Sequence, residues 1–248
     1  MLLECRDISK AYGGTIALAG VTLSFPERGI IAIVGKNGAG KTTLIDTLTG
    51  VVKPDRGDWL LSGKIITGLS TYEVARWGIV RSFQGLRLIR EATVLENLTL
   101  AMPSRYTSNL VFALLPGGTR SDEQQAREKA MQVLKDTGLD ALAEIPVREL
   151  SFGEQKALSI LVVVATQAQI LLLDEPFAGV DAQWAERIIE LMVNLRERGK
   201  LLILVDHDLA ALRRVADSLV VMSLGRALAS GPPVEILSRP DVVEAYLG

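Results

Sequence analysis

The chain has 248 residues, 27 Lys+Arg against 29 Asp+Glu, and a formal net charge of −2. At about 150 residues per domain this means one large domain or two small ones. Hydrophobic residues at 48% and charged residues at 23% exclude a disordered chain, and the near-neutral balance lacks the basic excess of a dedicated nucleic-acid binder. A single cysteine, Cys5, excludes an intramolecular disulfide and a multi-cysteine zinc site, and reads as a small core residue rather than a nucleophile.

The opening Met1-Leu2-Leu3-Glu4-Cys5-Arg6-Asp7 brings acid and base too early for a secretory signal. Gly29–Val34 is a continuous apolar run and predicts a buried strand. Residues 170–173 and 201–205 read the same way; with helical patterns between them they predict an α/β protein with a largely parallel sheet. From about 85 to 149 no convincing buried strand is visible. That stretch reads as a helical insertion between two halves of the sheet, with a loop at Pro116-Gly117-Gly118. Within it, Ser121-Asp122-Glu123-Gln124 reads as a capping box opening a helix whose stripe, Ala126, Ala130 and Val133, ends at Gly138. Between 181 and 198, Trp184, Ile188, Leu191, Met192 and Leu195 fall on one helical face. The most apolar stretches, including 157–165 and 219–222, stay below the roughly 18 residues a spanning helix needs. The chain is therefore expected to be soluble, with any membrane role supplied through a partner.

Gly35-Lys36-Asn37-Gly38-Ala39-Gly40-Lys41-Thr42 matches G-x-x-x-x-G-K-[ST], directly after a predicted strand and before a helical run. Backbone N–H groups of such a loop converge on phosphate oxygens, and the following helix N-terminus adds a favourable dipole. Lys41 supplies a point charge for β- and γ-phosphates, and the Thr42 hydroxyl is a hard oxygen ligand for Mg²⁺. The motif alone implies nucleotide phosphates without naming a reaction. The strand at 170–173 runs into Asp174 and Glu175. Beside a phosphate loop, Asp174 suits holding Mg²⁺ through water, and Glu175 suits polarising the water that attacks the γ-phosphate. His207, the one histidine, stands at the end of the 201–205 strand, where an imidazole N–H could reach the γ-phosphate. Gln84, after Ile79-Val80-Arg81-Ser82-Phe83, offers an amide oxygen to Mg²⁺.

In order, the phosphate loop, Gln84, Leu150-Ser151-Phe152-Gly153-Glu154-Gln155, Leu173-Asp174-Glu175-Pro176, Gly179-Val180-Asp181 and His207 resemble the ATPase subunits of ABC transporters over essentially the whole chain. The resemblance implies an α/β fold: a P-loop NTPase (RecA-like) core with an antiparallel β subdomain and an inserted helical subdomain. It implies a single ATPase domain over 1–248, with the insertion at about 85–155. ATP and Mg²⁺ are the implied cofactors, and two subunits are expected to clamp two ATP molecules head to tail. Tyr12 takes the position whose ring stacks on adenine, and Thr43 joins Gly35, Asn37, Gly38, Ala39, Gly40, Lys41 and Thr42 around the nucleotide. Ser151 and Gly153 fall in the signature loop, which contacts the γ-phosphate held by the opposite subunit, and Asp181 in the loop coupling the two sites. Glu175, His207 and Lys41 carry the implied catalytic roles; Thr42, Gln84 and Asp174 carry the metal.

Residues 78–98 and the ending 240–248 look like the corresponding regions of branched-chain amino-acid importer ATPases. That group implies a related, non-identical second ATPase, two transmembrane permeases, an indirectly engaged substrate-binding protein and no nucleic acid. It implies a peripheral location on the cytoplasmic face of the membrane, with 85–96 near the permease. The same group handles urea, short amides and other amino acids, so the cargo stays open. Three departures from the family pattern are Phe152 for glycine, Val162 for arginine and Ala182 for proline. The first two imply a weaker signature toward the partner's ATP, which favours a mixed pair. Residues 174–181 also resemble the ATPase of lipopolysaccharide extraction, but 81–98 and the loop at about 110–119 favour the importer. Non-transport ABC ATPases of DNA repair or translation usually carry two cassettes or long coiled-coil insertions, and neither is read here.

Overall fold

The structure, a computed structural model, describes residues 1–82, 88–103 and 119–247. Gln84, the loop at Pro116-Gly117-Gly118 and most of the 110–119 loop lie outside the described residues. The chain divides into two compact units, one of 1–81, 169–178 and 186–248, the other of 82–168 and 179–185.

The first unit holds two sheets. Strands β1 (Leu3–Tyr12), β2 (Thr15–Phe25), β4 (Arg56–Leu61) and β5 (Lys64–Ile65) make an antiparallel sheet in the order β2-β1-β4-β5. Strands β3 (Gly29–Val34), β6 (Ile79–Arg81), β7 (Ile170–Asp174), β8 (Leu201–Val205), β9 (Ser218–Ser223) and β10 (Arg226–Gly231) make the second, ordered β10-β9-β3-β8-β7-β6. All its pairings are parallel except β10 with β9. Every residue of β3, β7 and β8 is buried, as central parallel strands covered on both faces require, and this explains their unbroken apolar sequences. One apolar core joins the two sheets to helix α1 (Lys41–Leu48), through Leu3, Ile8, Phe25, Leu44, Leu48 and Trp59 among others. Each such Leu or Ile contributes about 1.5–3 kcal/mol by leaving water. The Trp59 indole N–H is satisfied inside this core by the Thr47 hydroxyl at 3.1 Å.

Register decides where chemistry collects. Ile33 pairs with Val205, and Val205 with Asp174, so β3, β8 and β7 end in one row. Chain leaving those ends carries the phosphate loop, His207 and Glu175, at the carboxyl edge where parallel sheets bind ligands. Helices α2 (Thr71–Arg76), α7 (Leu209–Val215), α8 (Pro233–Leu237) and α9 (Pro240–Leu247) complete this unit.

The second unit carries α3 (Val94–Ala101), α4 (Thr119–Asp136) and α5 (Phe152–Ala165), and no strand among its described residues beyond an isolated bridge between Thr93 and Pro146. Helix α4 corrects one expectation. It already runs at Thr119, so Ser121 lies within the first turn and not at the cap. The reciprocal boxes form instead at Ser70 with Glu73, Thr93 with Glu96 and Ser151 with Glu154, where the chain enters a helix from extended backbone. The stripe under α4 is Ala126, Ala130 and Leu134, with Val133 only half-buried, and Gly138 ends it at φ +68°. Helix α6 (Ala182–Glu197) begins in this unit and continues in the first, burying Ile188, Leu191, Met192 and Leu195 as the periodicity predicts. Among the described residues no helix is long and apolar enough to cross a membrane.

Candidate functional site

The chain leaves β3 at Val34, loops through Gly35–Ala39 and enters α1 at Gly40, which has φ +97°. A Cβ on Gly40 would sit 2.4 Å from the Ala17 carbonyl oxygen, so only glycine fits this entry. Because glycine has no side chain, α1 starts with no side-chain cap, and no acid sits in its first turn. Its leading N–H groups therefore have no anionic or hydroxyl competitor, the condition for phosphate binding at a helix start. Asn37 and Gly38 are exposed, Ala39 is buried, Thr42 is exposed and Thr43 half-buried.

Lys41 folds back over this loop and donates to the carbonyls of Gly35 at 2.6 Å and Lys36 at 3.0 Å. Burial pushes its ammonium below the usual lysine range, while the negative charges of Glu175 and Asp174 pull it back up. Those two influences bring Lys41, Asp174 and Glu175 into one electrostatic group. A phosphate chain entering there would meet an ammonium held over the loop by the Gly35 and Lys36 carbonyls.

Asp174 is a buried carboxylate at the end of β7. Arg81, at the end of β6, spans two acids: it pairs with Asp46 on α1 through Nη1 and with Asp174 Oδ2 at 2.7 Å through Nη2. Burial works against the Arg81 charge, yet the bonds to Asp174 and Asp46 outweigh it and raise its pKa. Arg81 is a candidate site residue that motif reading missed. Its signal was a charge inside the short apolar run Ile79-Val80-Arg81, paired in register with Leu172 two residues before Asp174. One hydroxyl, Thr42, and one oriented carboxylate, Asp174, are donor types that Mg²⁺ uses beside phosphate oxygens and water.

Glu175 holds left-handed backbone at φ +48°, which costs a non-glycine residue about 1–3 kcal/mol and persists only where neighbours enforce it. Its N–H donates to the Val205 carbonyl at 2.7 Å. His207 follows β8 with its side chain 71% exposed, open to a ligand at this edge. Tyr12 lies at the end of β1, half exposed, with the Lys10 ammonium 5.6 Å from its ring centre.

In the second unit, Ser151 caps α5: Ser151 Oγ accepts from the Glu154 N–H, and Glu154 accepts from the Ser151 N–H at 2.7 Å. Gly153 is buried against the Trp184 indole, and a Cβ there would come within 2.4 Å of the ring. Phe152, the residue in the family's glycine position, is 49% exposed and rests its ring edge beside Gly179. Asp181 caps α6, accepting from the Trp184 N–H at 2.9 Å. The tie between Gly153 and Trp184 was not legible in the sequence, where Trp184 counted only as part of a helical stripe.

The family model described as ABC transporter matches residues 18–178. The high-affinity branched-chain amino acid transport ATP-binding protein BraF of Pseudomonas aeruginosa is 36% identical, over all of this chain and 98% of that protein. The corresponding protein LivG of Escherichia coli K12 is 36% identical with the same coverage. Among solved structures, a nucleotide-free ATP-binding cassette from an ABC transporter superposes with TM-score 0.85 at 32% identity, covering all of this chain and 99% of that one. With its phosphate loop, buried Asp174 and a match running from end to end, this chain belongs to the ABC transporter family, as an ATP-binding, ATP-hydrolysing cassette.

Proposed function

We propose that this chain powers an importer of branched-chain or other hydrophobic amino acids, or of related small polar solutes, at the cytoplasmic face of the membrane. The reading is carried by the gathering of Lys41, Asp174 and Glu175 at the phosphate loop of a chain alike throughout to ATP-binding proteins of branched-chain amino acid transport. In it, the loop amides and Lys41 grip the β- and γ-phosphates, Tyr12 stacks on the adenine, and Glu175 polarises the attacking water. His207 donates an N–H to the γ-phosphate. Thr42, Asp174 and Gln84 would hold Mg²⁺, which would supply positive charge to neutralise the phosphate oxygens. Arg81 keeps the Asp174 carboxylate turned for that task.

Ser151 and Gly153 at the start of α5 meet the γ-phosphate of a second, related ATPase, and Asp181 couples the two sites. ATP thereby acts as glue between the subunits, and hydrolysis releases it, so that closure and opening drive two permeases fed by a substrate-binding protein. The helical subdomain, about 85–155, carries the permease-facing residues 85–96. The test is reconstitution of the chain with its sister ATPase, permeases and binding protein in proteoliposomes. The expected result is ATP-dependent leucine uptake, abolished by Glu175→Gln. Vigorous ATP hydrolysis with no uptake of any branched-chain amino acid overturns the cargo; isolation as a homodimer with lipid-handling membrane proteins overturns the importer.

A further inference from the structure

We propose that Asp206 is a positioning residue whose single buried carboxylate sets the main chain on both sides of the reaction centre, at the turn carrying Glu175 and at the segment carrying His207. The proposal rests on the roles given above to those two side chains. Asp206 is 2% exposed and follows β8 directly. Its Oδ2 accepts from the Phe177 N–H at 3.0 Å, and its Oδ1 accepts from the N–H groups of His207 at 2.7 Å and Asp208 at 3.0 Å. Three main-chain donors thus converge on one side chain.

Glu175 needs such support. Its left-handed backbone, φ +48°, relaxes unless the turn is pinned. The turn is held at its start by the Glu175 N–H on Val205, internally by the Ala178 N–H on the Glu175 carbonyl at 3.2 Å, and at Phe177 by Asp206. On the other side, the His207 ring nitrogen Nδ1 lies 3.6 Å from Asp206 Oδ1, beyond hydrogen-bond length, so the carboxylate guides this histidine through its backbone. Asp206 does not act on substrate itself, since it is enclosed and both oxygens are engaged. Nor is it needed to start α7, because Asp208 caps that helix by accepting from the Ala211 N–H at 3.0 Å. A carboxylate accepts on both oxygens, whereas an amide of the same shape turns an N–H donor toward at least one of the three N–H groups.

The decisive variant is Asp206→Asn in the assembled transporter, with Glu175→Gln measured alongside. Misplacing groups by a fraction of an ångström is expected to lower kcat about 10- to 100-fold with KM for ATP changed less than about 3-fold. In the Glu175→Gln background the same change adds less than it does alone, because one of the two groups it positions is already lost. Amide hydrogen exchange supplies an independent readout: Phe177, His207 and Asp208 are protected in the unmodified chain, and Phe177 loses protection in the variant. The proposal falls if folded Asp206→Asn keeps the parent kcat, or if those three amides in the unmodified chain exchange as fast as exposed ones. The second measurement decides should the variant not fold. Parent-like turnover by Glu175→Gln alone removes the role assigned to Glu175, a failure distinct from either.

Discussion

Helices α1 and α5 each carry a tightly enclosed glycine at their start, Gly40 at the cap and Gly153 in the first turn, yet they treat their leading N–H groups in opposite ways. Helix α1 begins at Gly40 with neither a side-chain cap nor an acid in its first turn. Helix α5 begins at Ser151 with a complete reciprocal box, and Glu154 places a negative charge in its first turn. An anion approaching α1 meets free donors and the Lys41 charge; one approaching α5 must compete with a carboxylate already there. Of these two helix starts, α1 is open to an anion and α5 is satisfied internally. Under the proposed pairing, in which the α5 start fills only when a partner brings its phosphate, an internally satisfied cap lets it stay stable while empty.

The largest way to sharpen this contrast is Glu175→Gln. If the α1 side is the reaction centre, kcat for phosphate release by the assembled transporter falls about 10²- to 10⁴-fold while equilibrium ATP binding is kept. Unchanged turnover breaks the assignment. Next, Lys41→Ala removes a charged contact worth about 1.5–3 kcal/mol and is expected to weaken ATP binding by about 10- to 100-fold in calorimetry. Glu154→Ala is expected to leave the affinity of the isolated chain untouched, and equal losses from both would erase the difference between the two helix starts.

Smaller effects fall on stability. Gly153→Ala drives a methyl group toward the Trp184 ring and should lower the unfolding free energy by about 1–3 kcal/mol in chemical denaturation, part of which Trp184→Ala restores. Breaking the α5 box with Glu154→Ala costs about 1 kcal/mol in the same assay. Smallest of all, Cys5 tests whether the core beneath the phosphate loop stays shut. Burial pushes its thiol up to about 12, so a thiol reagent at pH 8 should leave it unmodified in the folded chain and label it fully after denaturation.

How much was legible differs from element to element. The strands at 29–34, 170–174 and 201–205 stand out in the sequence because strands buried on both faces leave no polar interruption. The antiparallel sheet does not. Register shifts within β1 between Cys5 and Ile8, and again up to Ala11, break the alternation that would reveal it, and only family resemblance pointed there. Capping boxes were legible in principle, since Ser70, Thr93 and Ser151 each precede a glutamate by three residues. At Ser121 the same pattern lies inside a helix that has already begun, because the rule reads spacing and not where the helix starts.

Local spacing alone pointed to residues 35–42 as a loop and helix start suited to phosphates, and to acids and a histidine at the ends of two buried strands, because glycine, lysine and threonine at those intervals act through backbone only a few residues away. Tertiary structure alone decided that Arg81 bridges Asp46 and Asp174, and that Asp206 reaches Phe177 across 29 residues. Those partners meet through the register of β6, β7 and β8, and register is settled by how whole strands bury their side chains together, which no short stretch of sequence encodes.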